Sequence, residues 1–327
     1  MIVVGGEALI DLVPVAPGAP GDPAPGAPAS LPPLLPLRGG GPYNTALALA
    51  RLGSAASFCS RVSTDAFGEA LLDGLRAEGV GLGLVQRGPE PTTLAVAAVG
   101  DDGSAEYRFY VEGTADRLFT EPQVMPDAAR ALFLGTGSLA LEPGASAYEA
   151  LLRRAAHHGV FTMLDPNIRP QLIADPAAYR ARFRAWLPDV RLLKLSVVDA
   201  RWLAEGQYPD VERAVAGWLA AGPAAVVLTE GARGLSVTAL GGRSAREEPL
   251  RVAVAAPPVA VADTIGAGDA VNAALLHWLR QRGALSRPAV AALDAAAWRE
   301  ALGYAARVAA LTCTRAGAQP PYAAEAG

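Results

Sequence analysis

Lysine is almost absent from this chain of 327 residues. Lys194 is the one lysine, and the leucine before it excludes the Gly-Lys-Ser/Thr sequence of a nucleotide-binding P-loop. The two cysteines, Cys59 and Cys313, stand in apolar surroundings and are too few for a disulfide framework or a cysteine-ligated metal site. The three histidines lack zinc-binding spacing, and no Gly-x-Ser-x-Gly sequence marks a hydrolase nucleophile. These absences predict a protein of the reducing cytoplasm.

Positive charge is neither abundant nor clustered. The net charge is −4 at pH 7, and no group of arginines alternates with aromatic residues, which argues against a nucleic-acid partner. The first residues lack the basic segment of a signal peptide, and no apolar run is long enough to cross a bilayer, so we expect no membrane partner. Local dipoles and a metal ion would have to hold an anionic nucleotide, because the overall charge does not attract it.

Apolar residues make up 51% of the chain and aromatic residues only 6%, because alanine is so common. Alanine favours helices, and helical and strand-like segments alternate along most of the sequence. This alternation predicts a single α/β domain over residues 1–327, with a mainly parallel central sheet and helices on both faces. The predicted strands are residues 1–10, 55–62, 131–134, 160–164, 191–195, 225–229 and 235–239. The predicted helices are residues 43–52, 66–78, 145–158, 210–221, 267–282 and 289–311.

Two further segments predict a small separate β element. Residues 13–36 are crowded with proline and glycine, which suits either a disordered linker or a surface excursion with a mobile tip between two short strands. We favour the excursion because the segment interrupts a domain. Residues 92–99 and 105–111 alternate at period two around turn-forming residues 100–104, which indicates a hairpin. We therefore expect a β lid built from about residues 11–38 and 92–115.

The most informative segment is Asp263-Thr-Ile-Gly-Ala-Gly-Asp269, at the start of an alanine-rich helical pattern. Gly266, Ala267 and Gly268 can present backbone N–H groups to an anion, and the positive end of the helix dipole adds to the attraction. Asp269 follows at once and can take a proton from a hydroxyl held beside a phosphate. A phosphate cradle joined to a base suggests phosphoryl transfer to an alcohol, while a simple tight turn is the alternative.

Other polar candidates lie near strand ends or at the first helix. Gly40, Gly41 and Asn44 suit either a hydroxylated ligand or a capping loop. Asp11 and Arg169 follow predicted strands, at the edge where open α/β sheets bind ligands, although both also suit turns.

The segment Thr229-Glu-Gly-Ala-Arg-Gly234 is another candidate, because it suits either a loop under a nucleotide or a glycine turn. Residues 312–317 are equally ambiguous. Glu7 gives no functional prediction, because it suits strand packing as well as the rim of the sheet.

Two of these segments together resemble the signatures of the ribokinase-like carbohydrate kinases, also called the PfkB family. Gly40-Gly-Pro-Tyr-Asn-Thr-Ala46, with Gly53 following, resembles the first signature, and residues 263–276 resemble the second at every key position. The resemblance covers nearly the whole chain. Ser63 departs from the glycine that usually ends the first signature, but fructokinase-like members often carry the Ser-Thr-Asp-x-Phe-Gly seen at residues 63–68.

The resemblance implies a role for each candidate. Asp269 would be the catalytic base, beside an anion hole for the γ-phosphate formed by Gly266, Ala267 and Gly268. The substrate would be held by Asp11, Gly40, Gly41, Asn44 and Arg169. The ATP site would be lined by Thr229, Gly231 and Gly234. Asp263, with the loop near residues 314–317, is similar to a monovalent-cation site that would bind K⁺.

The function implied by the resemblance is ATP- and Mg²⁺-dependent phosphorylation of a small sugar at a primary hydroxyl. Residues 6–11, 41–44, 63–68 and 165–169 look like the fructokinase branch. The 2-keto-3-deoxygluconate kinases place Tyr-Tyr-Arg where this chain has Phe109-Tyr-Val111, so their carboxylate-reading arginine is missing and a neutral sugar is favoured. The alternatives are a 2-keto-3-deoxygluconate kinase, a ribokinase, a nucleoside kinase and a catalytically silent sugar sensor. The resemblance also implies a homodimer formed through the lid.

Overall fold

The computed structural model describes residues 1–15, 33–99, 105–241 and 248–327. Within these residues nine strands form a central sheet: β1 (Ile2–Gly5), β4 (Ala56–Ser63), β5 (Gly81–Gly88), β8 (Ala131–Gly135), β9 (Phe161–Asp165), β10 (Leu192–Ser196), β11 (Ala225–Thr229), β12 (Leu235–Ala239) and β13 (Leu250–Val254). Their spatial order is β13-β12-β11-β10-β9-β8-β1-β4-β5. Neighbouring strands pair in parallel except β11–β12 and β12–β13, which confirms the predicted mainly parallel sheet.

A second, four-stranded sheet stands apart from the first. It consists of β2 (Leu9–Pro14), β3 (Leu34–Gly39), β6 (Leu94–Val99) and β7 (Ala105–Tyr110), in the order β3-β2-β6-β7. The β2–β3 and β6–β7 pairs are antiparallel, as predicted for the excursion and the hairpin, and β2 pairs with β6 in parallel. Residues 16–32 and 100–104, which include the predicted tip of the excursion and the hairpin turn, lie outside the described residues.

Helices cover both faces of the central sheet, because its buried strands present apolar side chains alternately to either side. Ile2 and Val4 belong to one apolar core, whereas Val3 between them belongs to the other. The helices are α1 (Gly41–Arg51), α2 (Ala66–Ala77), α3 (Gly144–His157), α4 (Pro176–Trp186), α5 (Val197–Ala204), α6 (Val211–Ala221), α7 (Ala267–Gln281), α8 (Arg287–Ala291), α9 (Ala295–Cys313) and α10 (Ala323–Ala326). None of the described helices is long and apolar enough to cross a membrane.

The prediction of one continuous first strand over residues 1–10 is wrong, because the chain turns at Gly6. Gly6 has a φ of +143°, and a Cβ there would lie 2.2 Å from Pro42. The chain therefore leaves the central sheet after β1 and enters the small sheet as β2. This turn places Glu7 and Asp11 between the two sheets.

The prediction of one helix over residues 289–311 is also wrong. Asp294 accepts a hydrogen bond from the Ala297 N–H at 2.8 Å and begins α9, while Ser286 caps the short α8 before it. Five elements were not predicted, and they are β5, α4, α5, β13 and α10. The capping aspartates of α4 and α9 are the sequence signals that could have located these helix starts.

Candidate active site

A cavity of about 350 Å³ lies between the small sheet and the carboxyl edge of the central sheet. It contains the ends of β8 to β11, which are neighbours in the sheet, and the amino ends of α1 and α7. The candidate residues that line it are Asp11, Gly40, Gly41, Asn44, Arg169, Thr229, Gly266, Gly268 and Asp269. The candidates that do not line it are Gly231, Gly234, Asp263 and Ala267. The structure thus brings both signature segments into one site.

Asp269 lies in the first turn of α7 and is only 7% exposed. Burial raises the pKa of its carboxyl to about 7, although the hydrogen bond from Asn44 and the charge of Lys194 act to lower it. The Asn44 amide donates to Oδ2 at 2.9 Å, and Oδ1 has no donor among the described residues. A carboxylate with this pKa, fixed through one oxygen, is poised to accept a proton through the other near neutral pH.

The amino end of α7 forms the predicted anion cradle. Gly266 adopts the left-handed conformation with φ of 78°, and a Cβ there would lie 2.7 Å from Ala318. Among the described residues no acceptor takes the N–H of Gly266 or Gly268, so both remain able to donate to an anion. The Ala267 N–H differs, because it donates to the Thr264 carbonyl at 3.2 Å. The geometry therefore supports the two glycines as donors more directly than Ala267.

The amino end of α1 approaches Asp269 closely because Gly41 has no side chain. A Cβ on Gly41 would lie 3.2 Å from Asp269 Oδ1 and 2.5 Å from the Thr136 methyl carbon. Gly40 has φ of +106° and caps α1, where a Cβ would lie 2.7 Å from the Glu7 carbonyl oxygen. Both glycines are needed for the close packing of these two helix starts, which holds Asn44 against Asp269.

Asp11 and Arg169 face the cavity from opposite sheets. Asp11 lies on β2 of the small sheet, and burial raises its pKa to about 6 while the positive charge of Arg169 acts to lower it. Arg169 follows β9, and its guanidinium donates to the Asn167 side-chain oxygen at 2.8 Å. A neutral polyol suits the carboxyl as a hydrogen-bond acceptor and the guanidinium as a donor.

Two buried acids in the lining of the cavity were missed by the sequence reasoning. Glu7 accepts from the Ser138 N–H at 3.1 Å, and burial raises its pKa to about 7. Asp116 accepts from Thr93 at 2.5 Å and from Thr114 at 3.0 Å, and burial raises its pKa as well. The position of Glu7 just after the first strand was the available signal for it, whereas no pattern in the sequence pointed to Asp116.

A buried ion pair beside the anion cradle was missed too. The Lys194 ammonium donates to Asp165 Oδ2 at 2.7 Å, and the two side chains are 5% and 1% exposed. Asn272 of α7 donates to the same oxygen at 2.7 Å, so the pair ties β9 and β10 to α7. Lys194 also lines the cavity. Its uniqueness in the sequence was the signal that could have singled it out.

Backbone strain is concentrated at this cavity. Among the described residues other than glycine, Thr136 and Asn167 have positive φ values, of 63° and 38°, and both line the cavity. A left-handed conformation is costly for a β-branched residue such as threonine. Residues held in such conformations cluster at functional sites, which supports this cavity as the active site.

The predicted ATP-site residues separate into two groups. Thr229 ends β11 and lines the cavity. Gly231 and Gly234 lie in the turn that follows, with φ values of +59° and +105°. A Cβ on Gly234 would lie 2.1 Å from the Val254 carbonyl oxygen, so packing against β13 requires this glycine. Their contact with a nucleotide stays a prediction.

Asp263 ties the loop before α7 to the loop after α9. One of its oxygens accepts from the Ile265 N–H at 3.0 Å and the other from the Gly317 N–H at 2.8 Å. This pairing brings residues 314–317 next to Asp263, as the resemblance implies for a monovalent-cation site.

A helix amino end able to receive a phosphate, a buried base and a polar cavity are the parts of a phosphotransferase that acts on an alcohol. The sequence profile of the pfkB family carbohydrate kinases matches residues 1–325, so the chain belongs to this family. It is an ATP-dependent sugar kinase with a ribokinase-like fold.

Known relatives agree with this assignment. A fructokinase of Rhizobium leguminosarum bv. trifolii is 36% identical over 91% of this chain and 86% of its own length. Fructokinase-2 of Oryza sativa subsp. japonica is 30% identical over 73% of this chain and 69% of its own length. The crystal structure of a fructokinase from Xylella fastidiosa with bound ATP has a TM-score of 0.85, 27% identity, and coverage of 99% of this chain and 96% of that one.

Proposed function

We propose that this sugar kinase transfers the γ-phosphoryl group of ATP to a primary hydroxyl of fructose. The observation that carries the proposal is the meeting of Asp269, its Asn44 donor and the cradle of Gly266 and Gly268 in one cavity. The fructokinases among its relatives support fructose as the acceptor.

The rest of the cavity lining suits a neutral sugar. It includes Asp11, Glu7 and Asp116, whose carboxyl oxygens can accept hydrogen bonds from hydroxyl groups. Tyr107 and Phe109 of β7 stack with ring centroids 6.3 Å apart and give the small sheet an apolar face toward the cavity. We propose that this sheet is the lid over the sugar.

In the proposed reaction the sugar hydroxyl lies between Asp269 and the γ-phosphorus. Its proton passes to Asp269 Oδ1 while its oxygen forms a bond to phosphorus, and the bond from phosphorus to the bridging oxygen of ADP breaks. The N–H groups of Gly266 and Gly268 stabilise the charge on the phosphoryl oxygens. Losing one such donor costs about 2.7–4 kcal/mol in comparable enzymes.

Magnesium fits this site as part of the nucleotide. The described residues contain no group of three or more Asp, Glu, His or Cys side chains that could hold a metal ion. Mg²⁺ in phosphotransferases is commonly held by one or two carboxylates together with substrate phosphates. We therefore propose MgATP as the substrate, with the ion neutralising phosphate charge.

A panel of acceptors tests the assignment. Initial rates of ADP release should be measured with MgATP and fructose, ribose, 2-keto-3-deoxygluconate, adenosine or inosine. We expect the highest kcat/KM with fructose. A higher value with 2-keto-3-deoxygluconate would contradict the neutral-sugar interpretation and make Arg169 the reader of its carboxylate. A higher value with ribose or a nucleoside would likewise reject fructose.

A catalytically silent sensor was the other alternative that the sequence left open. It would bind sugars but release no more ADP with any of them than without sugar. The buried base argues against this alternative, because a sensor has no need of a carboxyl whose burial raises its pKa to about 7.

Two further proposals accompany the reaction. We propose that Asp263 and residues 314–317 bind K⁺, which predicts a higher kcat in KCl than in tetramethylammonium chloride at equal ionic strength.

We also propose a homodimer through the small sheet, where Leu35 and Tyr110 are exposed by 50% and 55%. Sedimentation of the parent and of Tyr110→Lys would test it. Location in the cytoplasm stays a prediction from the sequence.

A further inference from the structure

Lys194 is an unusual residue for its position. The chain has 28 lysine and arginine side chains, and all except Lys194 are arginines. Lys194 lies in the interior strand β10 and is 4% exposed, between Leu193 and Leu195, which are fully buried. Such a strand normally carries apolar residues, because burying a charge is costly. A single lysine placed there requires an explanation.

Stability does not explain the charge. Lys194 pairs with Asp165 at 2.7 Å, and replacing a buried ion pair by apolar residues of similar volume is often neutral or stabilising. Asp165 also has one buried oxygen, Oδ1, without a partner among the described residues. The ion pair therefore leaves one buried carboxylate oxygen without a hydrogen bond, which is unfavourable if the pair serves only to stabilise the fold.

The position of the ammonium explains it better. Lys194 lies on the same face of β10 as Leu192, which packs in the core that contains α7. Its Nζ lies 3.1 Å from the point that a Cβ on Gly268 would occupy, directly beside the anion cradle. An ammonium has three hydrogen-bond donors, and Asp165 accepts from one of them within the described residues. The other donors can reach a ligand in the cavity.

We propose that Lys194 is a further catalytic residue of this kinase, whose ammonium contacts the phosphoryl group during its transfer. As the sugar oxygen bonds to phosphorus and the bond to ADP breaks, the electron pair leaves with ADP and the hydroxyl proton goes to Asp269. Lys194 keeps its protons throughout and stabilises the negative charge on the transferring group. Asp165 and Asn272 are positioning residues that aim the ammonium. The inference depends on the kinase activity and not on which sugar is phosphorylated.

A pair of methionine variants tests this proposal. Lys194→Met keeps an unbranched side chain one atom shorter and removes the charge, and Leu192→Met introduces the same side chain two residues away on the same face. We expect Lys194→Met to lower kcat by about 100- to 1000-fold, the usual effect of removing a donor from a transition-state site, with sugar and ADP affinities within about threefold of the parent. Leu192→Met should keep kcat within about twofold, because the swap nearly conserves core volume.

Fluoroaluminate provides a readout that a structural role would not move. ADP, aluminium fluoride and the acceptor sugar together imitate the phosphoryl group in transfer, so they should bind the parent far more tightly than ADP and sugar alone. Lys194→Met should bind ADP normally and lose most of this tightening. If Lys194→Met does not fold, Lys194→Gln carries the same expectation. The proposal is overturned if the Lys194 variant keeps more than about a third of the parent kcat. It is also overturned if aluminium fluoride tightens binding of ADP and sugar to the variant as much as to the parent.

Discussion

Replacing Asp269 by asparagine tests both the catalytic base and the energetic cost of burying it. Burial raises the pKa of Asp269 from 3.8 to about 7. Because the folded state then binds the proton more tightly than the unfolded state, the stability of the protein falls as pH rises from about 4 to about 7, and it stays lower above that range. At about 1.4 kcal/mol for each tenfold difference in proton affinity, the cost above pH 7 approaches about 4 kcal/mol as an upper bound.

Asp269→Asn removes this cost and keeps an oxygen that can accept the hydrogen bond from Asn44. We expect the free energy of unfolding to rise at pH 8 by up to about 4 kcal/mol, and by less than half as much at pH 5, where the parent carboxyl is already protonated in the folded state. The same variant should lose about 100-fold or more in kcat, because general-base catalysis contributes about 10²- to 10⁴-fold. Urea unfolding at both pH values and ADP-release rates measure the two effects.

Asp73→Asn is the matched control, since Asp73 lies on the exposed side of α2 with its side chain 69% exposed. It should leave both quantities unchanged. In the parent, kcat/KM should rise with pH with a midpoint near 7, since the base must be ionised. The reasoning is refuted if Asp269→Asn keeps more than about a tenth of kcat, if its stability gain is equal at pH 5 and pH 8, or if the midpoint lies below about 5.

Three further variants probe the cradle, the base and the core. Gly268→Ala puts a Cβ 3.1 Å from the Lys194 ammonium and should lower kcat about tenfold or more. Its control is Gly303→Ala in α9, where the nearest atom lies 3.9 Å from the new Cβ, and the free energy of unfolding should stay the same or rise by up to about 1 kcal/mol. Equal kcat values for the two variants would contradict this. Asn44→Leu removes a hydrogen bond that lowers the pKa of Asp269, so the midpoint of the pH dependence of kcat/KM should move above pH 7. A shift to lower pH would refute Asp269 as the base. Trp298→Ala empties a fully buried site and should cost about 3–5 kcal/mol in urea unfolding while kcat below the melting temperature stays near the parent value.

Much of the fold could be predicted from the sequence because local patterns repeat. The alternation of strands and alanine-rich helices predicted the parallel sheet, and alternation at period two predicted the β6–β7 hairpin. The break at Gly6 could not be predicted in the same way. An apolar run continues on both sides of it, and the close approach of Pro42 that requires a glycine there is a contact between distant residues.

The residues of the candidate site likewise fall into a predictable group and an unpredictable one. The two signature segments could be identified because each is contiguous and carries its own glycines and polar residue. Glu7, Asp116 and Lys194 were missed because each is a lone residue whose chemistry depends on partners far away in the chain. Ser138, for example, is 131 residues from Glu7, and Asp165 is 29 residues from Lys194.

By itself the sequence indicated the class of the protein, since two contiguous segments resemble the signatures of the carbohydrate kinases, and glycines at a helix start can bind phosphate through local backbone geometry. It also predicted a catalytic base, Asp269, through its place after those glycines. The tertiary structure alone decided how that base behaves. Burial between α1 and α7 raises the pKa of Asp269, and the packing of β10 against α7 sets a lone ammonium beside the cradle. Desolvation and charge proximity depend on distances through space, and spacing along the chain does not encode them directly.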